Sequence, residues 1–285
     1  MTDMDPSVGP RPPGAGVDRR RLLFGILPAT ALLAAGCGGS GSDERGARAD
    51  SDEHGGRGNR PGDGSPLALV YNGPQGCSEC APSVADLLRR APQPFRVTYV
   101  GPGTGVPLTA DTLADAQLYV QPGGGADLER TWRDLRGSAN AVRDWVRGGG
   151  GYLGLCFGAY LAGRNPGFDL LPGDTDGYID LPDTTIHHQR DTVVPVTWRD
   201  KKRHMYFQDG PAFLLDEDAD ADVLATYPNG SAAVVVAPYG KGRVGVSGPH
   251  PEADRSWYAE KGLRNPDGVR FDLAHELVGA TAGRR

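Results

Sequence analysis

Apolar positions follow two different patterns along this chain. In residues 66–164, short apolar runs alternate with segments in which apolar residues recur at helical spacing. The runs typical of strands are LALVY, FRVTYV, AQLYVQ and GYLGL, and the segments typical of helices are PSVADLLRRA, TADTLADA, GSANAVRDWVR and FGAYLAGR. This regular alternation predicts an α/β fold with a doubly wound, mostly parallel sheet flanked by helices.

The pattern changes after this region. Between residues 191 and 252, strands joined by tight turns, with no helical segments between them, are predicted by the stretches DTVVPVTW, KRHMYFQDG, ADVLATYP and SAAVVVAPYGKGRVGVSGPHPE. One turn, Tyr239-Gly240-Lys241-Gly242, lies between two apolar runs and predicts a hairpin. A partly helical stretch follows at residues 262–279. We therefore expect an antiparallel hairpin added to the parallel sheet, within one domain over residues 66–285.

The N-terminus has the pattern of an export signal. Arg19-Arg20-Arg21-Leu22-Leu23 is a twin-arginine motif, and the apolar run that follows is about 15 residues long, shorter than the roughly 20 that span a bilayer. The run ends in small residues before Cys37, a site that resembles a bacterial lipobox. Residues 1–37 are therefore predicted to be a twin-arginine lipoprotein signal. A lipid on Cys37 would hold the exported protein on the outer face of the cytoplasmic membrane.

Two alternatives exist for this N-terminal segment. One is an ordinary secretory signal with an incidental cysteine. The other is a single transmembrane anchor, which the short apolar run and Pro28 within it disfavour.

The next segment, residues 38–65, contains almost no apolar side chain larger than alanine. Such a segment cannot bury enough surface to offset its ordering entropy. It is predicted to be a disordered linker between the membrane and the domain.

Composition and charge narrow the function classes. The 285 residues are 38% hydrophobic and 23% charged, which suits one ordinary globular domain with a tail. The formal net charge is −6, and we find no basic stripe along the chain. A nucleic-acid partner is therefore not expected.

The candidate nucleophile lies between the fourth predicted strand and the helix after it. Gly154-Leu155-Cys156-Phe157-Gly158 is a glycine-x-cysteine-x-glycine motif, the cysteine form of a nucleophile elbow. Its glycines allow a sharp turn that raises the sulfur above the sheet, at the start of a helix, where the thiolate is favoured. The alternative is a buried apolar cysteine in a glycine-packed junction.

A cysteine nucleophile also needs a base and an orienting group. His250-Pro251-Glu252 follows the last predicted strand. Because residues two apart in an extended chain face the same side, His250 can face Cys156 while Glu252 holds the imidazole.

Acyl chemistry further needs hydrogen-bond donors for the developing oxyanion. The backbone N–H of Phe157 is one candidate. The loop that contains Gly123 and Gly124 follows the third predicted strand, at the edge where sites form in parallel sheets, and can present another.

These motifs together resemble a known family. The elbow at Cys156, the His250-Pro251-Glu252 motif and the PGGG loop are similar to those of the class I glutamine amidotransferase-like fold. More narrowly, the stretches LVYNGP, PGGGADL, GGGYLGLCFGAY and GKGRVGVSGPHPE resemble the N-terminal domain of biotin-protein ligases, over roughly residues 66–277. The resemblance does not imply biotinylation, since the catalytic domain of those ligases is a separate, later domain.

The resemblance implies a role for each candidate residue. Cys156 would be the nucleophile, His250 the base and Glu252 its orienting partner. The implied oxyanion donors are Gly123, Gly124 and Phe157. No cofactor is expected.

Two further cysteines, Cys77 and Cys80, follow the first predicted strand and open a helix. In an exported protein this spacing predicts a structural disulfide. A redox-active pair is an alternative, because a thioredoxin-like motif would occupy the same position. Metal binding is disfavoured because no second cysteine pair exists, and the adjacent His187 and His188 would point to opposite sides of a strand.

The sequence therefore predicts an exported, lipid-anchored protein whose Cys-His-Glu site hydrolyses an amide bond in a small molecule or peptide. Glutamine amidotransferases pass ammonia to a synthase partner, and an exported domain has no obvious acceptor. Two alternatives stay open: a non-catalytic ligand-binding module of the same fold, and a thiol–disulfide protein that uses Cys77 and Cys80. Whether the protein is an enzyme is not decided at this point, and no protein partner is predicted.

Overall fold

The computed structural model describes residues 64–125 and 127–283. The predicted signal at residues 1–37, with Cys37, lies outside the described residues, as do residues 38–63 of the predicted linker. Within the described part, every helix is too short or too polar to cross a lipid bilayer.

Within the described residues, eleven strands form one mixed sheet. The strands are β1 (Leu67–Tyr71), β2 (Arg96–Val100), β3 (Ala116–Gln121), β4 (Gly151–Leu155), β5 (Gly173–Gly177), β6 (Thr192–Trp198), β7 (Lys201–Phe207), β8 (Pro211–Leu215), β9 (Asp222–Thr226), β10 (Ala232–Tyr239) and β11 (Gly242–Ser247). The helices are α1 (Cys80–Arg89), α2 (Ala110–Ala114), α3 (Leu128–Leu135), α4 (Ala139–Arg147), α5 (Phe157–Tyr160), α6 (Arg255–Glu260) and α7 (Phe271–Ala282).

The sheet has a parallel half and an antiparallel half. Its order is β2-β1-β3-β4-β11-β10-β9-β6-β7, and β8 pairs with both β10 and β5. The neighbouring strands β2, β1, β3, β4 and β11 pair in parallel. All the other strand pairs are antiparallel. The predicted α/β sheet, parallel in its first strands, is confirmed.

The antiparallel half is larger than the single predicted hairpin. That hairpin is confirmed: β10 and β11 pair from Val234–Ser247 to Tyr239–Gly242, with Gly240 and Lys241 as its two-residue turn. The sheet also continues through β9 and β6 to β7, which lie in three of the stretches predicted to be strands. Strands β5 and β8 were not predicted. β5 is GDTDG, a sequence without a large apolar residue.

Helices cover both faces of the parallel half because side chains alternate along each strand. On one face, Leu118 and Val120 of β3 pack in a core that includes α1 and α7. On the other face, Tyr119 and Tyr152 pack in a core that includes α2, α4 and α5. In such a doubly wound fold, sites form at the carboxyl ends of the strands.

Three of those strand ends lie side by side. β4 pairs with β3 through Gln121–Gly154 and with β11 through Leu155–Ser247, so the strands end at nearly the same level. The segment after β3 contains Gly123 and Gly124, the segment after β4 begins with Cys156, and the segment after β11 contains His250. Sheet register therefore brings together three segments that are far apart in sequence.

Candidate active site

The strained residue of the site is Cys156. It follows β4 directly and has φ 49° and ψ −105°, in a region that only glycine adopts readily. Its N–H donates to the carbonyl oxygen of Ser247 at 2.7 Å, and its own carbonyl accepts from Ala159 and Tyr160 as α5 begins. Such a backbone costs about 1–3 kcal/mol and persists only where the surroundings impose it.

Two glycines make this turn possible. A Cβ on Gly154 would lie 2.5 Å from the carbonyl oxygen of Gly158. A Cβ on Gly158 would collide with the carbonyl oxygen of Gln121 at the end of β3. Both collisions are with backbone atoms, which cannot move aside, so neither position accepts a side chain.

His250 and Glu252 form a buried pair. The imidazole Nδ1 lies 2.8 Å from Oε1 of Glu252, and the two residues are 5% and 1% exposed. Because Nδ1 faces the carboxylate, Nε2 is the nitrogen free to exchange a proton with a thiol.

Aromatic rings and the backbone hold the imidazole in place. The rings of Tyr206 and Trp257 lie 5.9 Å and 5.1 Å from it, centroid to centroid. The N–H of His250 donates to the carbonyl oxygen of Tyr206 at 2.8 Å, which ties the segment after β11 to the end of β7. The hydroxyl of Tyr206 in turn donates to Asp191.

The charges of the site act together on His250. Burial lowers the pKa of His250, but Cys156 and Glu252 raise it by their charges and by side-chain hydrogen bonds. The attractions outweigh the burial, and the pKa of His250 is raised well above its ordinary value. The three side chains therefore form one electrostatically coupled group.

The glycine loop, defined as residues 122–125, lies beside this group. A Cβ on Gly123 would be 2.8 Å from Cε1 of His250, and a Cβ on Gly124 would be 3.2 Å from the ring of Phe157. Among the described residues, no backbone oxygen accepts from the N–H groups of Gly123, Gly124 and Phe157. The candidate donors Gly123 and Gly124 therefore lie beside His250 and the ring of Phe157, respectively.

The turn after β7 was missed by sequence reasoning. The Sγ of Cys156 lies 3.4 Å from the carbonyl oxygen of Gln208 and donates to it. The neighbouring Asp209 accepts at its carbonyl from the hydroxyl of Tyr160 at 3.1 Å. Burial, with a smaller contribution from the charge of Asp180, raises the pKa of the Asp209 carboxyl to about 6. The residues QDG signal a turn, but nothing in them indicates contact with the cysteine.

The structure contains a disulfide between Cys77 and Cys80, whose Cα atoms lie 5.3 Å apart. Cys156 is then the free cysteine of the described residues. His187 lies 3.3 Å from the hydroxyl of Thr184, and within the described ranges no three histidine, cysteine or acidic side chains converge as a metal site would require.

The chain is similar to known proteins in sequence. Residues 67–175 match the family model for the biotin-protein ligase N-terminal region. The chain is 30% identical over 165 residues to a biotin–protein ligase of Schizosaccharomyces pombe, a match that covers 49% of this chain and 26% of the relative. It is 34% identical over 138 residues to imidazole glycerol phosphate synthase subunit HisH of Gloeobacter violaceus, covering 41% of this chain and 59% of the relative. The chain thus spans about a quarter and about three-fifths of these two relatives.

Solved structures show the same fold. A glutamine amidotransferase from Thermotoga maritima superposes with a TM-score of 0.52 at 13% identity, over 77% of this chain and 99% of the other. A protein from Thermoplasma acidophilum, described as one component of a putative GMP synthase, gives 0.50 at 13% identity, over 76% and 94%. The glutamine amidotransferase-like fold is confirmed, as is the resemblance to the biotin-protein ligase N-terminal family over residues 67–175.

The strain at Cys156 gives a direct prediction about stability. Glycine usually costs about 1 kcal/mol relative to alanine, but at a positive φ the order reverses because alanine carries the strain. We expect Cys156→Gly to be more stable than Cys156→Ala by about 1 kcal/mol, measured by urea unfolding.

The matched control is Ala159→Gly, in the helix that begins at the elbow. Its free energy of unfolding should be about 1 kcal/mol lower than that of wild type, the usual effect of glycine in a helix. Cys156→Gly less stable than Cys156→Ala would show that the turn is not strained.

Proposed function

We propose that this protein is an exported, lipid-anchored hydrolase that uses Cys156 to cleave an amide bond in a small molecule or peptide. The observation that carries the proposal is the buried His250. It is held by Glu252 through one ring nitrogen and coupled to Cys156, so it has the position of a general base and acid.

The first half of the reaction forms a thioester. The Cys156 thiolate attacks the amide carbonyl carbon, and the oxygen takes the negative charge in reach of the N–H groups of the glycine loop and Phe157. His250, cationic while the thiolate is charged, gives a proton from Nε2 to the amine as the carbon–nitrogen bond breaks. The amine leaves, and the acyl group stays on Sγ.

The second half returns the enzyme to its starting state. The neutral imidazole of His250 takes a proton from water, and the resulting hydroxide adds to the thioester carbonyl. The carbon–sulfur bond then breaks, which releases a carboxylic acid and restores the thiolate beside imidazolium. Glu252 keeps its hydrogen bond to Nδ1 throughout and stabilises the cationic ring.

Water as the final acceptor follows from the proposed location. The fold is shared with glutamine amidotransferases, and the HisH relative is named as part of a synthase. A domain outside the cytoplasm, tethered by residues 38–65 to a lipid on Cys37, has no obvious synthase to receive ammonia. Hydrolysis needs no second protein.

The charge coupling predicts how His250 affects the reactivity of Cys156. Because the pKa of His250 is raised, its imidazole stays cationic to higher pH than an ordinary histidine. We expect iodoacetamide to alkylate Cys156 at pH 7 about tenfold more slowly in His250→Ala than in wild type, because the variant lacks this cation beside the cysteine.

A second histidine–carboxylate pair supplies the control. His204 Nδ1 lies 3.2 Å from Asp267, but this pair is partly exposed and has no cysteine. Cys156 in His204→Ala should be alkylated at the wild-type rate. Labelling with a series of chloroacetamides, compared between wild type and Cys156→Ala, reports whether the site accepts amides. A Cys156 that alkylates as slowly in wild type as in His250→Ala would instead support a non-catalytic binding module.

Anchoring has its own test. Cells that express the full chain and are fed a labelled fatty acid should incorporate the label, and Cys37→Ser should lose it and release the protein from the membrane fraction. Cys77→Ser, at another cysteine, is the control and should keep the label. Label retained in Cys37→Ser would overturn the lipid assignment, and an Arg19→Lys, Arg20→Lys variant that is still exported would overturn the twin-arginine route.

A further inference from the structure

The disulfide lies against the glycine loop. We define the disulfide loop as residues 73–80. The N–H of Gly125 donates to the carbonyl oxygen of Gln75 at 2.5 Å, and Gly76 and Gly124 pair as an antiparallel bridge. These contacts join the disulfide loop to the glycine loop.

The sulfur of Cys80 is close to the imidazole. A single point, the Cβ position of Gly123, lies 3.0 Å from Sγ of Cys80 and 2.8 Å from Cε1 of His250. Gly123 thus fills the space between the disulfide and the candidate base, and a side chain there would displace one of them.

The disulfide also belongs to the aromatic cluster that holds His250. Cys80 is 3% exposed and packs in one cluster with Tyr206, Trp257 and Tyr258, and Cys77 is partly buried against the same cluster. Two of these rings, Tyr206 and Trp257, contact the imidazole. The disulfide therefore links the aromatic cluster around His250 to the glycine loop, which carries the candidate oxyanion donors.

Backbone contacts fix the glycine loop to the disulfide loop. Pro122 carries the one side chain larger than hydrogen in the glycine loop, and the N–H of Gly125 and the bridge at Gly124 hold it to Gln75 and Gly76. A small pocket with room for about one water molecule adjoins both loops. The position of the glycine loop should therefore follow the position of the disulfide loop.

We propose that the Cys77–Cys80 disulfide is a positioning element of the active site, which holds the glycine loop in place for oxyanion binding, and that its reduction slows acyl transfer to Cys156. This inference rests on the proposed function. In the reduction step, a dithiol attacks a sulfur of the bond, passes through a mixed disulfide and leaves as a cyclic disulfide. Two protein thiols, at Cys77 and Cys80, are formed.

The test separates acylation from simple alkylation. Acylation of Cys156 by p-nitrophenyl acetate builds an oxyanion, whereas alkylation by iodoacetamide is a displacement that builds none. In Cys77→Ser, Cys80→Ser we expect the acylation rate at Cys156, followed by peptide mass spectrometry, to fall about tenfold or more. The alkylation rate should change less than threefold.

Wild-type protein provides the second measurement, which does not depend on how the variant folds. The full chain is reduced with dithiothreitol, freed of reductant and assayed, then reoxidised and assayed again. The acylation rate at Cys156 should fall on reduction and recover on reoxidation, and Cys77→Ser, Cys80→Ser treated in the same way should not respond.

The outcomes separate the two claims. If wild-type Cys156 is not acylated at all, the proposed function fails. If it is acylated, and reduction or Cys77→Ser, Cys80→Ser leaves the rate unchanged, the disulfide is only structural and this inference fails. Equal falls in acylation and alkylation would also overturn it, because they indicate a general loss of structure around Cys156.

Discussion

Burial of a histidine against both a carboxylate and a cysteine is the constraint on which this site depends. A lone charge at the position of His250 would cost several kcal/mol of desolvation. Glu252 and Cys156 offset that cost, and their combined effect raises the pKa of His250 although burial opposes it. The balance depends on all three groups, because removing one partner of a buried pair leaves the other charge uncompensated. Tyr206 and Trp257 exclude water from the ring and keep this balance.

The sheet supplies the geometry that this charge arrangement requires. β3, β4 and β11 are parallel neighbours in register, so their carboxyl ends deliver the glycine loop, Cys156 and His250 to one place. The elbow then turns the sulfur out of the sheet, and Gly158 permits it by leaving room for the carbonyl oxygen of Gln121. The backbone strain at Cys156 is sustained by these surroundings, and the residue itself is buried at the end of the strand.

Much of the site was predictable because short motifs carry it. The elbow needs glycine at positions 154 and 158, and His250 and Glu252 need the spacing of two that an extended chain gives. The parts that sequence reasoning missed have no such local signal. β5 lacks large apolar residues, and Gln208 reaches the sulfur only because β7 ends beside the elbow. The contact between the disulfide loop and the glycine loop was also not visible in sequence, because its backbone hydrogen bond joins Gln75 and Gly125, which are far apart along the chain. Local motifs thus indicated the candidate residues, whereas tertiary contacts decide what surrounds them.

The protonation state of His250 tests the central claim most directly. Ring-nitrogen NMR on ¹⁵N-histidine-labelled protein, compared between wild type and Cys156→Ala across pH, reads it without any substrate. The account predicts that the wild-type imidazole stays cationic well above the ordinary histidine pKa of about 6.5, and that the pKa falls in Cys156→Ala because burial is then opposed by Glu252 alone. A neutral wild-type imidazole at pH 7, or the same pKa in both proteins, would contradict the coupling of Cys156 to His250.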